Sequence, residues 1–435
     1  MKLWLLIKKE IRSILRSRSL WILLFFISLL IGYGFLQAVR LYSEASRTAL
    51  ESPGMSVGLS PLDGVLVPTF GAYYLVLTLL FPFLAIRVLG VEKQSGSIKL
   101  LLQLPFSRAG MFAGKIMTLL GIWFILLLPG LAGLLIWGHI GGRLYWPETV
   151  NLLAGYTLYT WAMIGISLFS ASVSNSVSTA AIIAISLAAG SWVLDFASGM
   201  EGSLLKSLSF LSLTPALKSF ERGLFVAERA AQLFLVGSVF IGSALTWIKP
   251  ERLIRKISVA IMLTGTATSL GYLVHLAHFS ADVSEDRRNS FSQGEETALK
   301  SVREPVKITI HLSSEDSRLM DMERNILGKL RRAVPSLEII YAGDRTRILK
   351  RSGGDDYGII EYEVAGRKDQ STSNSDEEIL SIIFNLAGKT VQPGPAQEYA
   401  GYPLVADVEK WRILFYGLFP LVFGLAAWRF NRRRI

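Results

Sequence analysis

Few side chains in this sequence could do chemistry, and their spacing narrows what that chemistry could be. His275 and His278 stand three residues apart, which on a helix places two imidazoles on one face. A metal needs further ligands, and none can be identified around them. Gly388-Lys389-Thr390 copies the end of a phosphate-binding loop, but G-x-x-x-x-G-K-[ST] requires glycine at position 383, where Ile383 stands. The triplet also follows a predicted helix instead of opening one, so no helix N-terminus would face a phosphate. Gly114-Lys115 fails too, because Ala109 holds the first glycine position and Ile116 follows. The chain has no cysteine, hence no disulfide, thiolate metal site or cysteine nucleophile, and its redox compartment is unreadable. Neither H-E-x-x-H nor G-x-S-x-G occurs, so an intramembrane hydrolase has no support. No catalytic residue, cofactor or metal is expected.

The elements that would position any site are apolar. Of 435 residues, 51% are hydrophobic and only 18% charged, against roughly 25% charged in ordinary globular proteins. The mean hydropathy is +0.42. A purely soluble enzyme and a disordered chain are both excluded. A spanning helix needs about 20 apolar residues, since ~30 Å of hydrocarbon is crossed at 1.5 Å per residue. Uncharged stretches of that order lie between Arg18 and Arg40, Asp63 and Arg87, Lys115 and Arg143, Arg229 and Lys249, Lys256 and Asp282, and Arg412 and Arg429. Thr149 to Leu194 is long enough for two more, with Ser174-Asn175-Ser176 as the turn between them. That makes eight spans. Ionisable residues are missing from their centres: Asp195, Glu228 and Arg229 fall near helix ends, so a proton- or ion-coupled transporter is disfavoured. If this chain moves something, its energy source lies elsewhere.

The net charge of +11 divides unevenly. Residues 281–409 carry 17 Lys/Arg and 23 Asp/Glu, a net of −6, which leaves +17 for the remainder. The excess sits at the ends of apolar runs, where membrane orientation and anionic lipid account for it without any nucleic acid. With the N-terminus inside, segments 1–19, 87–115, 173–177, 249–256 and 429–435 are cytoplasmic and hold 19 basic residues against Glu10, Glu92 and Glu251. The short loops on the other side hold seven basic and eight acidic residues. The asymmetry predicts both termini inside and residues 281–410 outside the cytoplasm. Within residues 2–18, Trp4, Ile7, Ile11 and Ile14 repeat at helical spacing, with Lys8, Lys9, Arg12 and Arg16 mainly elsewhere, which predicts an amphipathic interfacial helix.

The connection between spans two and three is the most informative stretch: Val91-Glu92-Lys93-Gln94-Ser95-Gly96-Ser97-Ile98, on through Leu101 and Leu102 to Pro105-Phe106-Ser107-Arg108, then Gly114-Lys115. It reads as a helical hairpin. Gly96 permits a sharp break, Ile98, Leu101 and Leu102 supply an apolar face, Pro105 ends that turn and Ser107 caps the helix entering span three. Glu92, Lys93 and Arg108 remain available to a partner. The order resembles the first cytoplasmic loop of ABC type-2 exporter permeases, approximately E-x-x-x-G-[TS]-[LI]-x-x-L-L-x-x-P-[VI]-[ST]-R followed by G-K, over about 24 residues. The resemblance implies a coupling helix docking on a separate ATP-binding subunit, with Glu92, Lys93, Gly96, Ser97, Pro105, Arg108, Gly114 and Lys115 as its marked positions. It also implies an ATPase dimer and a second permease copy or paralogue as partners, beside the lipid bilayer.

Between spans seven and eight the pattern changes. Val306, Ile308, Ile310 and Leu312 alternate with polar residues as in a half-buried strand, and His311 falls on its polar face. Leu319, Met322, Ile326 and Leu330 form one stripe of a helix ending before Pro335. Leu337 to Tyr341 and Tyr357 to Val364 read as further strands, and Ser375 with Glu378 as a capping box for a helix ending near Gly388. The stretch Asp282-Val283-Ser284-Glu285-Asp286-Arg287, followed by Phe291-Ser292 and Pro305-Val306, resembles the start of the outer domain of gliding-motility auxiliary proteins (GldG-like), here truncated. The six-span half resembles that system's permease partner (GldF-like). The expected fold is therefore mainly α: a polytopic helical membrane protein with a small extracytoplasmic α/β domain. Its parts are an interfacial helix (1–19), a six-span permease (20–248), a seventh span (257–280), the α/β domain (281–410), and an eighth span with a basic tail (411–435). The expected function is the non-catalytic permease subunit of an inner-membrane ABC exporter. A non-transporting scaffold presenting 281–410 to envelope partners is the alternative.

Overall fold

Each uncharged run becomes a helix. In the computed structural model, residues 2–51, 58–98, 107–197, 212–249, 251–302, 304–313, 316–334, 336–342, 357–389 and 399–432 are described. An N-terminal helix, α1 (Lys2–Leu15), precedes the first span. Among the described residues eight helices are long and apolar enough to cross a bilayer. They are α2 (Arg18–Glu51), α3 (Leu62–Gln94), α4 (Arg108–His139), α5 (Trp146–Val173), α6 (Val177–Asp195), α7 (Ala227–Trp247), α8 (Leu253–Leu276) and, after three helices of a second unit, α12 (Glu409–Phe430). The turn between α5 and α6 falls at Ser174–Ser176, where the Ser174 hydroxyl accepts from Ser176 N at 3.1 Å. Close contacts divide the chain into one unit of Met1–Val193, Leu213–Ala281 and Ala400–Ile435, and another of Leu194–Ser212 and Asp282–Tyr399. Residues 400–408, grouped with the α/β part by sequence, run with the helical unit.

α2 to α5 form the packed centre of the helical unit, while α8 buries no residue at all. With no hydrophobic drive between helices in lipid, small residues let backbones approach. A Cβ on Gly165 of α5 would stand 2.4 Å from the Gly237 carbonyl of α7, and one on Gly32 of α2 would strike Phe415 of α12.

Prolines bend three of the spans in two different ways. In α3, widened π turns at Leu62–Leu66 and Val76–Leu80 come two residues before Pro68 and Pro82; in α12 the π turn Leu414–Leu418 comes two residues before Pro420. A proline has no N–H to donate and its ring clashes with the carbonyl four residues back, and one wide turn moves that carbonyl aside. Pro129 of α4 has no such turn. There the helix breaks at Leu127, into Arg108–Leu126 and Leu128–His139, and a hydroxyl from α3 enters the gap. Tyr73 Oη donates to Leu126 O at 2.9 Å and accepts from Gly130 N at 3.0 Å, two groups that would bond each other in an unbroken helix. Position 130 must be glycine, because a Cβ there would lie 2.9 Å from the Tyr73 ring and hydroxyl.

The second unit holds a four-stranded sheet of β1 (Val306–Ile310), β2 (Leu337–Tyr341), β3 (Ile360–Val364) and β4 (Arg367–Ser371), ordered β2-β1-β3-β4. β1 and β2 are parallel, joined through a helix over 317–333 (α10), as a parallel pair requires. Its stripe Leu319, Met322, Ile326 and Leu330 is buried, as the sequence predicts. β3 runs antiparallel to both β1 and β4, and the β3–β4 turn is made by Ala365 (φ 52°) and Gly366 (φ 79°), both left-handed as a two-residue hairpin demands. β4 was not legible in the pattern: four of its five residues are exposed, as on a polar sheet edge.

The expected capping box is not made. Ser375 stands at the N-cap of α11 (Asp376–Leu386), but its side chain makes no cap bond, because Glu378 instead accepts the Ser371 hydroxyl. A complete box appears at α9 (Gln293–Lys300), where Ser292 and Glu295 serve each other. α11 closes at Gly388 (φ 66°), with Gly388 N on Asn385 O and Lys389 N on Phe384 O, the paired bonds of a glycine C-terminus.

Candidate functional site

Three elements meet around one buried ammonium. Ser107 opens α4 by accepting from Gly110 N at 3.1 Å, and two turns further in stands Lys115, whose side chain is fully buried. The end of α3 lies against it, offering the Val88 carbonyl at 2.7 Å and Glu92 Oε2 at 2.6 Å. The third acceptor comes from α1: Glu10 Oε1, 3.2 Å away. All three ammonium donors are thus used. Lys9 of α1 stands 3.9 Å from the other Glu92 oxygen. Burial raises the Glu10 carboxyl above its ordinary value, Lys115 pulls it down, and the charge of Glu92 pushes it up; burial is the largest effect.

The rest of the hairpin is pinned at its base. Lys93 donates to Ser172 O at 2.5 Å and Ser174 O at 2.7 Å, placing a cation on the carbonyl end of α5 where the helix dipole favours it. Gly96 takes φ +74°, the left-handed break its identity predicts. Ser97 donates to the Glu92 carbonyl at 3.3 Å, and its hydroxyl lies 2.8 Å from that of Ser95. Ile98 is buried. Gly114 is buried beside Thr118, whose hydroxyl donates to its carbonyl at 2.8 Å. Pro105, with Leu101 and Leu102, lies outside the described residues. The expectation that Glu92, Lys93 and Arg108 all stay free for a partner is corrected: Glu92 and Lys93 are spent on α4, α1 and α5, and Arg108 is the exposed charge.

Glu10 is the member that sequence reading missed. The helical spacing predicts an apolar stripe through Trp4, Ile7, Ile11 and Ile14, whereas α1 buries Leu6, Glu10 and Ile14 and leaves Trp4 64% exposed. The available signal was a lone acid among basic neighbours at i+4 from Leu6 and i−4 from Ile14.

The other residues named from the sequence do not join this site. His275 Nδ1 sits 3.0 Å from Glu228 Oε2 at the far ends of α8 and α7, with the His278 ring 5.3 Å away. Arg229 donates to Gln232 at 3.2 Å, and Asp195 closes α6. In the second unit His311 Nε2 lies 3.5 Å from Glu361, and Lys389 donates to the Ser301 hydroxyl. Among the described residues no three His, Asp or Glu side chains group to hold a metal.

What the arrangement does is tie the base of the hairpin to α1, α4 and α5 through the hydrogen bonds of Lys115 and Lys93. No curated protein matches the chain. Residues 4–194 match the family model described as "ABC-2 family transporter protein", a region that contains Glu10, Glu92, Arg108 and Lys115. The matched region runs from α1 into α6, and with eight apolar helices it makes that part of the chain similar to a multi-pass ABC-2 transporter protein.

Proposed function

We propose that this chain is the non-catalytic permease subunit of an ABC-2 exporter and that its 91–115 hairpin receives force from a separate ATP-binding subunit. The observation that carries the reading is the buried Glu10–Lys115–Glu92 cluster, which ties α1, α3 and α4 together at the base of the connection between spans two and three. Arg108, exposed beside that base, is the charge offered to the ATPase; Glu92, Lys93, Gly96, Ser97, Gly114 and Lys115 shape and anchor the hairpin, and Pro105 is its remaining marked position. ATP hydrolysis takes place on the partner. A second permease copy or paralogue completes the membrane unit, the membrane is the inner one, both termini are cytoplasmic and residues 281–410 are extracytoplasmic. Residues 20–248 then act as a GldF-like permease and 281–410 as a shortened GldG-like domain.

Two variants separate docking from transmission. With the ATP-binding subunit co-purified, Arg108→Glu is expected to weaken association about tenfold, the cost of reversing one charge at a contact. Lys115→Met is expected to leave association intact and abolish permease-dependent stimulation of ATP hydrolysis. Unchanged association in the first and unchanged stimulation in the second would refute the assignment. The scaffold reading has one observation of its own, the independent compactness of residues 282–399. It gains if no ATP-binding subunit co-purifies and the α/β unit captures an envelope partner.

A further inference from the structure

At the other end of α2 from the Lys115 cluster, a cleft of about 510 Å³ opens between that helix and the strap that leads into α12. The strap is clamped along α2. Tyr42 Oη donates to Tyr402 O at 2.7 Å, Leu404 N to the Ser46 hydroxyl at 2.9 Å, and Ala406 N to the Ser43 hydroxyl at 3.1 Å. The cleft walls are therefore fixed before anything binds.

Its depth in the bilayer follows from the packing below. Phe35 of α2 and Phe415 of α12 meet with ring centroids 5.8 Å apart. Arg40 lies five residues beyond Phe35, and Arg412 three residues beyond Phe415 in the antiparallel sense. At 1.5 Å per residue both guanidinium stems begin about 5–8 Å past that contact. Each arginine also marks the first charge beyond an apolar run, so both stand at the rim of the hydrocarbon layer. Below them the cleft wall is Tyr33 and Tyr416, which are 65% and 41% exposed within the apolar runs of α2 and α12.

The charges lining the cleft are balanced: Arg40, Arg47 and Arg412 face Glu44, Asp407 and Glu409. Arg40–Glu44 (3.5 Å) and Arg412–Glu409 (2.6 Å) are pairs between exposed side chains, which bind each other weakly. Arg47 has no ion-pair or hydrogen-bond partner among the described residues. Such a rim can exchange its own pairs for a ligand that carries both signs.

We propose that this cleft binds the headgroup of a phospholipid whose phosphate is joined to a primary ammonium, a phosphatidylethanolamine. The guanidinium groups take the phosphate, since planar donor forks match its oxygens. The carboxylates take the ammonium, which has three N–H donors to offer; a choline headgroup has none. The acyl chains descend along Tyr33 and Tyr416 into the bilayer. The site is independent of the coupling role proposed for the opposite end.

The test is native mass spectrometry of the delipidated full chain in detergent, titrated separately with dioleoyl phosphatidylethanolamine, -choline and -glycerol. Phosphoethanolamine and inorganic phosphate serve as soluble probes. The expected result is preferential retention of phosphatidylethanolamine, weakened about tenfold in Arg40→Gln/Arg412→Gln, as loss of charge-assisted hydrogen bonds to a phosphate requires. Arg255→Gln, an exposed control outside the cleft, is expected to bind like the parent. Equal binding of the choline or glycerol lipid would overturn the headgroup assignment. Binding of free phosphate or phosphoethanolamine as tightly as the lipid would overturn the membrane source. Unaltered retention in the double variant would overturn the site itself. The substituted side chains are exposed, so folding does not confound the result.

Discussion

A buried lysine facing two carboxylates is a demanding arrangement, because taking ions out of water is repaid only when each finds its partners. Lys115 does, with three acceptors within 3.2 Å. Removing it strands the buried Glu10 and leaves Glu92 only the exposed Lys9 at 3.9 Å, so Lys115→Met is expected to lower stability by about 3–5 kcal/mol. Adding Glu10→Gln should return part of that loss, since an amide needs no counter-ion. Thermal unfolding in detergent measures both, and equal stability of parent and Lys115→Met would sink the argument. The same group predicts a pH dependence. Burial raises the Glu10 carboxyl, so the docked helix holds that proton more tightly than a released one. The contribution of Glu10 to docking of α1 is therefore fully present below the ordinary carboxylate range and is lost as pH rises through the raised value. Limited proteolysis of the N-terminus across pH 4–8 should show this in the parent and a flat profile in Glu10→Gln. The sequence named Glu92 and Lys115 through the order of the hairpin residues. The spacing from Leu6 and Ile14 could mark Glu10 as facing inward, but not its partner, because no local pattern records a contact with a lysine 105 positions away.

At the scale of elements, charge-free length was enough to read all eight spans, and Ser174–Ser176 was legible as the turn because polar residues cluster there. What could not be read was how each proline is accommodated, since that depends on a neighbouring helix. Pro68, Pro82 and Pro420 are met by a wide turn within their own helix, Pro129 by a hydroxyl from another. β4 escaped for a related reason: Arg367-Lys368-Asp369-Gln370 shows no alternation because an edge strand buries almost nothing. The Tyr73 insertion makes a prediction about shape. Tyr73→Phe leaves Leu126 O and Gly130 N buried without their partner, which costs about 1–3 kcal/mol unless the helix closes its own bond. If it closes, α4 straightens. Spin labels at Met117 and Leu135, both exposed and on either side of the break, would then approach the ~27 Å of an unbroken 18-residue rise. Gly130→Ala should instead destabilise without straightening, because its Cβ forces the Tyr73 ring away. A Tyr73→Phe variant with unchanged stability and unchanged label separation would show that the hydroxyl sets nothing.

Across the whole molecule the decisive quantity is the parity of crossings. Five apolar helices, α4 to α8, lie between the 91–107 hairpin and the α/β unit. The proposed topology has all five cross, and on that proposal an odd number of crossings is expected to separate those two segments across the membrane, whichever way the first helix enters. Basic residues concentrate at the hairpin end, which makes the cytoplasm its expected side. The chain contains no cysteine, so single replacements report sidedness without any background to remove. Arg108→Cys and Asp369→Cys occupy exposed positions, one beside the hairpin and one on the free edge strand β4. A membrane-impermeant maleimide is expected to label position 369 on intact cells and position 108 only after permeabilisation. Labelling of both from outside would mean that one of the five helices does not cross, and α8, which buries no residue, would be the first to question. The reverse pattern would preserve the crossings and overturn the orientation. A motor bound to the hairpin would then have to work from outside the cytoplasm, where ATP is scarce, and the coupling role of Arg108 would fall with it.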